Sequence, residues 1–147
     1  MNTLGSYLGG DHNACDDLFS EAENAVAAKN WARAGTQFDR FAAAMARHFA
    51  MEEDVLFPAF EDRTGMRGGP TEVMRGEHQQ MNGLLVGMRA ALEKRDNPAY
   101  LGQSETLLML MRQHNMKEEN ILYPMSDQAL ADRQAELLAA MEAVAAP

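Results

Sequence analysis

The sequence is short of several things, and each shortage excludes something. It contains one cysteine, so no internal disulfide can form, and the lone thiol fits a reducing compartment. Valine, isoleucine and threonine are sparse and aromatic residues make up 7% of the chain, a bias that argues against sheet. Basic residues number 13 against 22 acidic ones, and the resulting net charge of −9 argues against nucleic acid and anionic membrane surfaces as partners. No apolar run approaches the roughly 20 residues needed to span a bilayer. The opening stretch, MNTLGSYLGGDHN, has neither a basic n-region nor an apolar h-region, so no secretion signal is read and a cytoplasmic location is expected. Histidine is scarce as well, with four in the chain.

What is plentiful is Ala, Leu, Met, Glu, Gln and Arg, the vocabulary of helices. A length of 147 residues suits one packed domain, expected over residues 1–147. Apolar residues recur in steps of three and four along four segments. The first helix is expected to start at Asp11, with a stripe of Leu8, His12, Cys15, Phe19, Ala22 and Val26. Asn30 caps the second, whose stripe runs from Trp31 through Ala34, Phe38, Phe41, Met45, His48 and Glu52 to Leu56. The stretch TGMRGGP, Thr64 to Pro70, is a break. A third stripe follows from Thr71 through Met74, His78, Met81, Leu85 and Met88 to Leu92. Asn97 as cap and Pro98 as first helical residue open the fourth helix, with Ser104, Leu107, Met111, His114, Glu118 and Ile121 on one face. A shorter amphipathic segment, about 127–145, closes the chain. Connections this short favour antiparallel neighbours, so the expected fold is all-α, an antiparallel up-down-up-down four-helix bundle with a short C-terminal helix.

One phrase is written twice. HFAMEEDVLFP begins at His48 and HNMKEENILYP at His114, and an offset of 66 residues relates them. The same offset pairs His12 with His78, Phe41 with Leu107, Met45 with Met111 and Pro58 with Pro124. The chain therefore reads as two helical hairpins, about 11–62 and 71–126, duplicated about a pseudo-twofold axis. All four histidines obey this symmetry, and each second histidine is followed four residues later by a glutamate, Glu52 or Glu118.

Residues four apart share one side of a helix, so each His–Glu pair can reach one metal centre. With one histidine from each remaining helix, four imidazoles and two carboxylates gather round the axis, and a carboxylate there can bridge two cations. Imidazole with carboxylate suits iron, and also manganese or zinc. A buried carboxylate without a partner or a metal is too costly for a bundle core. Glu53 and Glu119 repeat too, but five residues from the histidine they point elsewhere and read as solvated or as supporting residues. Which histidines share a metal is open at this stage. The paired prolines are expected to end or kink the second and fourth helices, and Phe57 and Tyr123 to be core residues at that end.

The pattern His12, His48-x-x-x-Glu52, His78, His114-x-x-x-Glu118, with EEDVLFP and EENILYP, resembles the hemerythrin-like HHE cation-binding family over nearly the whole chain. The resemblance implies a non-haem di-iron centre with His12, His48, His78 and His114 as terminal ligands and Glu52 and Glu118 as bridges. Oxygen-carrying hemerythrins use five histidines, one of them four residues after that of the third helix, where this chain has Asn82. Four histidines with two glutamates is instead similar to the di-iron domain of iron–sulfur-cluster repair proteins, linked to nitric oxide and oxidative stress.

Such a centre leaves positions for an oxo or hydroxo bridge between two iron ions and for an exogenous ligand. The expected partner is O2, NO or peroxide, bound or reduced with the help of an electron donor, in stress response or sensing. The alternatives are an iron donor or store for cluster repair, and a metal-stabilised interaction module without turnover. Cys15, Met45, Met81 and Met111 each lie one turn from a histidine, displaced the same way along antiparallel helices. They are expected to form one sulfur layer lining the ligand pocket, on the side away from the glutamates.

Overall fold

Helix α1 (Leu4–Ala27) starts at Leu4, well before Asp11, in the computed structural model, which describes residues 2–145. The Thr3 hydroxyl accepts from the Ser6 amide and the Ser6 hydroxyl from the Thr3 amide, a reciprocal cap that carries the helix through Gly9 and Gly10. Gly5 is there for another reason. Its amide donates to the Asp127 carboxylate, and a Cβ would stand 2.8 Å from an Asp127 oxygen and 3.0 Å from the Tyr123 Cβ.

Helix α2 (Trp31–Met51) begins at the expected cap, with Asn30 Oδ1 accepting from the Arg33 amide. The corresponding cap of α5 (Asn97–Lys117) is Asp96, not Asn97. Asn97 is the first helical residue, Pro98 the second, and the Asn97 side chain donates across the hairpins to the Val26 carbonyl. Asp96 is the residue that the 66-residue offset assigns to Asn30. Lys29 and Arg95, another pair at that offset, both adopt the left-handed conformation (φ 58° and 52°) and close the two hairpin turns alike. Helix α4 (Pro70–Glu93) takes Pro70 as its first residue, so the break before it ends at Gly69.

Neither Pro58 nor Pro124 ends its helix. Each sits in the first turn of a continuing helix, α3 (Phe57–Thr64) or α6 (Tyr123–Ala129), and a π-helical turn precedes each one, Glu52–Leu56 and Glu118–Leu122. Proline has no N–H to give the carbonyl four residues back, so the preceding Phe57 and Tyr123 amides donate five back, to the Glu52 and Glu118 carbonyls. The wider turn moves the apolar face along by one position. Leu122 is buried and Ile121 is 55% exposed, so Ile121 leaves the face on which the periodicity placed it.

Four rods, α1, α2–α3, α4 and α5–α6, form the antiparallel bundle, with α1 against α2 and α5, and α4 against α5 and α2. The core is two apolar clusters. One, toward the hairpin turns, holds Phe19, Phe38, Phe41, Met88, Tyr100 and Leu107. The other, at the opposite end, holds Leu8, Met51, Leu56, Phe57, Phe60 and Leu122. Each fully buried aromatic or leucine among them contributes about 1.5–3 kcal/mol. The closing segment is not one helix: α6 stops at Ala129, a 3-10 turn spans Ala131–Arg133, and α7 (Gln134–Glu142) caps the second cluster with Leu137 and Met141. Arg47 fastens it, donating to the Met141 and Val144 carbonyls. No described helix is long and apolar enough to cross a membrane.

Candidate metal centre

Between the two apolar clusters lies a polar layer. His12 on α1, His48 on α2, His78 on α4 and His114 on α5 are all buried, and Glu52 and Glu118 are fully so. The glutamates open the two π-helical turns, one helical turn beyond His48 and His114. Two ionised carboxylates inside a bundle would repel each other and forfeit hydration, and only cations or protons among them offset that.

The layer divides into two metal-sized groups. Glu52, His78, His114 and Glu118 bring one ligand atom each to within 4.8 Å of one another, and so do His12, His48 and Glu118. Glu118 belongs to both. The histidines therefore pair within hairpins, with ring centroids 4.6 Å apart for His12–His48 and 5.0 Å for His78–His114. His/Glu side chains positioned to coordinate two metal ions are thus present, and five of their inner atoms are unsatisfied. His48, His78 and His114 Nε2, Glu52 Oε1 and Glu118 Oε2 are buried with no hydrogen-bond partner, although His78 Nε2 lies 3.1 Å from Glu52 Oε1. Orphaned lone pairs facing one another are what a cation would satisfy.

The outward ring nitrogens are all engaged. The Nδ1–H of His12 donates to Glu119 (2.7 Å), that of His48 to Asp11 (2.8 Å), that of His78 to Glu53 (2.5 Å) and that of His114 to Glu77 (2.8 Å). A proton held at Nδ1 leaves the Nε2 lone pair facing inward, and a carboxylate behind the ring makes that nitrogen more basic. These four acids obey the repeat: Asp11 and Glu77 are 66 apart, and so are Glu53 and Glu119. Glu53 and Glu119 are supporting residues, as one of the two readings of them held. Asp11 had been read only as a helix start and Glu77 not at all, though an acid recurring at the repeat offset was a usable signal. Burial pushes both carboxyls up, but the hydrogen bonds of His48 to Asp11, and of Lys117 and His114 to Glu77, hold them below the usual range.

Tyr123 is buried in the second cluster, as expected, but it also serves the polar layer. Its hydroxyl lies 2.7 Å from Glu52 Oε2, 3.0 Å from Glu118 Oε1 and 3.2 Å from His12 Nε2, while its ring stacks on His12. Its counterpart Phe57 stacks on His78 with no polar group to offer, and Phe49 covers another side of that ring at 4.0 Å. A tyrosine answering a phenylalanine in the repeated phrase was the visible clue.

Burial and the charge of Glu118 push the Glu52 carboxyl up. Burial alone would lower the two histidines that face Glu118, but its hydrogen bonds and charge raise His12, and raise His114 to about 9. Without metal, then, protons occupy this layer.

On the side toward the hairpin turns a cavity of about 10 Å³ touches His12, His48 and His114. Cys15, Met45, Met81 and Met111 line it, with Phe49 and Asn115. Burial pushes the Cys15 thiol up to about 12, so it is a neutral, apolar part of the wall. Asn82 is exposed outside the layer.

The family model described as hemerythrin HHE cation binding domain matches residues 4–126. No curated protein and no solved structure matches the chain.

Proposed function

Since the chain belongs to the hemerythrin HHE cation-binding family, we propose that it is a non-haem di-iron protein whose centre takes up a small ligand: O2, NO or peroxide. His12 and His48 would hold one iron and His78 and His114 the other, with Glu52 and Glu118 shared between them. The two-group geometry supports the pairing of the histidines and the sharing of Glu118, and Glu52 Oε1 lies 3.1 Å from His78 Nε2 and 3.5 Å from His48 Nε2. Iron bound there supplies open coordination positions and one-electron redox steps.

The observation that carries the reading is the cavity. One side of the polar layer is filled by Tyr123, Phe57 and Leu56, while the other adjoins a small space walled by thioethers and a neutral thiol. A volume of about 10 Å³ is room for about one water-sized group, which refuses an organic substrate and leaves only the smallest ligands. An apolar wall favours neutral or weakly hydrated ligands, since a well-hydrated anion entering it loses solvation that only the metals can replace.

The test is anaerobic reconstitution with ferrous iron, counting metal per chain and recording absorption before and after air or NO. Two irons with a new charge-transfer band on exposure support the reading. Recovery under vacuum would mark a carrier or sensor, and irreversible conversion a redox enzyme. If the wild type binds no more iron than His48→Ala, the proposal fails.

A further inference from the structure

One ion pair of the first half is not repeated in the second. Arg75, on α4, sets its guanidinium over the Phe57 ring at 5.3 Å and donates from Nη2 to Glu61 Oε1 at 3.3 Å. The Thr71 hydroxyl donates to Glu61 Oε2 at 2.6 Å, so ring, carboxylate and cation fasten α4 to α3. The 66-residue offset pairs Phe57 with Tyr123, Glu61 with Asp127, Thr71 with Gly5 and Arg75 with Gly9. The second half therefore keeps the ring and the carboxylate, and the Gly5 amide replaces the Thr71 hydroxyl as donor to Asp127. It has no guanidinium, because a glycine cannot supply one.

At the equivalent place lies a surface cavity of about 370 Å³, bordered by Gly5, Gly9, Tyr123 and Asp127, the four positions just paired. A Cβ on Gly9 would meet no atom within 4 Å, so the space opens directly off α1. Glu119 borders the same cavity. Asp127 is half-buried and Glu119 exposed, and among the described residues neither pairs with a lysine or an arginine. Asp127 accepts from the Gly5 amide and Glu119 from His12.

We infer that this cavity binds a small organic cation through a guanidinium group, seated against Asp127 as Arg75 is seated against Glu61. Equivalent residues of the same fold already hold a guanidinium in the first half, which distinguishes the cavity from a chance cluster of acids. A guanidinium carries its N–H donors in a planar fork and can address Asp127 and Glu119 together, where an ammonium acts as a single point of charge. The volume accepts a molecule of amino-acid size, and the net charge of −9 favours a cation over an anion. The site does not rest on the di-iron reading, although Glu119 joins it to the metal layer through His12.

N-acetylarginine amide is the probe, charged at its guanidinium alone, and N-acetylcitrulline amide is the control, of the same shape without the charge. Calorimetric titration of the whole chain, with iron or without, should give the probe a dissociation constant on the order of a millimolar, as partly exposed carboxylates allow. The control should bind at least about tenfold more weakly. Gly9→Arg provides the side chain from α1 itself and should abolish probe binding and raise the denaturation midpoint. Asp127→Asn, whose amide oxygen still accepts from Gly5, should weaken the probe about tenfold. A wild type that binds neither compound, or binds both alike, overturns the site. So does a Gly9→Arg variant that folds and binds the probe as the wild type does. Should Gly9→Arg not fold, Asp127→Asn decides, and an unchanged dissociation constant there overturns the proposal.

Discussion

Tyr123 donates its hydroxyl proton to Glu52, a carboxylate from the other half of the repeat, across 2.7 Å of fully buried space. This bond ties the end of the second hairpin to the centre of the first, and nothing in the first hairpin answers it, because the counterpart is Phe57. Tyr123→Phe is expected to leave the fold intact and to cost the metal-free protein about 1–3 kcal/mol, the penalty for depriving a buried carboxylate of a donor. The loaded protein should lose much less, since a metal would then satisfy Glu52. Chemical denaturation of the metal-free and iron-loaded forms of the variant checks this; equal losses in both would mean that Tyr123 acts through packing alone.

The four carboxylates behind the histidines should matter nearly as much as the ligands. Glu119→Gln and Asp11→Asn keep the shape and weaken the acceptor, and each should lower iron affinity by about 10- to 100-fold without changing the number of irons at saturation. Competition with a chelator of known affinity reads this directly. Glu77 is already shared with Lys117, so Glu77→Gln is expected to have the smallest effect of the four.

Gly5 provides a test of how α1 is seated. Gly5→Ala places a methyl group against Asp127 and the Tyr123 Cβ, so α1 and α6 must separate by some tenths of an ångström. Overpacking of this kind costs about 1–3 kcal/mol, seen as a lower denaturation midpoint. Ser6→Ala, at the next residue of the same first turn, should cost about 1 kcal/mol through the cap alone.

Much of this molecule was legible before folding because a duplicated bundle writes its symmetry into spacing. The stripes, the Asn30 cap and the convergence of four histidines and two glutamates follow from a helical period and one offset. What escaped depends on hydrogen bonds between helices or on local exceptions to the period. The Thr3–Ser6 cap overrode two glycines that looked like a boundary. The π-helical turns moved Ile121 outward, since proline's missing N–H alters the repeat instead of ending it. Asp11 was read as a helix start when its carboxylate belongs to His48, 37 residues away on another helix. Which histidines share a metal depends on the relative register of four helices, and no single helix carries that information.

Protons and metals compete for the same layer, and the sign of the pH dependence follows. In the folded metal-free protein burial would lower His114, but the hydrogen bond and charge of Glu118 raise it from 6.5 to about 9. The folded form therefore binds that proton more tightly than the unfolded chain does. The stability this contributes is fully present below about pH 6.5 and is lost as pH rises through about 9. His12, raised by the same carboxylate, and Glu52, raised by burial and by Glu118, work in the same direction. Metal-free protein is thus expected to lose up to roughly 3 kcal/mol between those limits, measured by urea denaturation at a series of pH values. Iron replaces the protons, so apparent iron affinity should rise over the window in which metal-free stability falls, with protons released on uptake. Metal-free stability that rose with pH would mean that the folded protein binds fewer protons than the unfolded chain, its histidines being neutral before metal arrives.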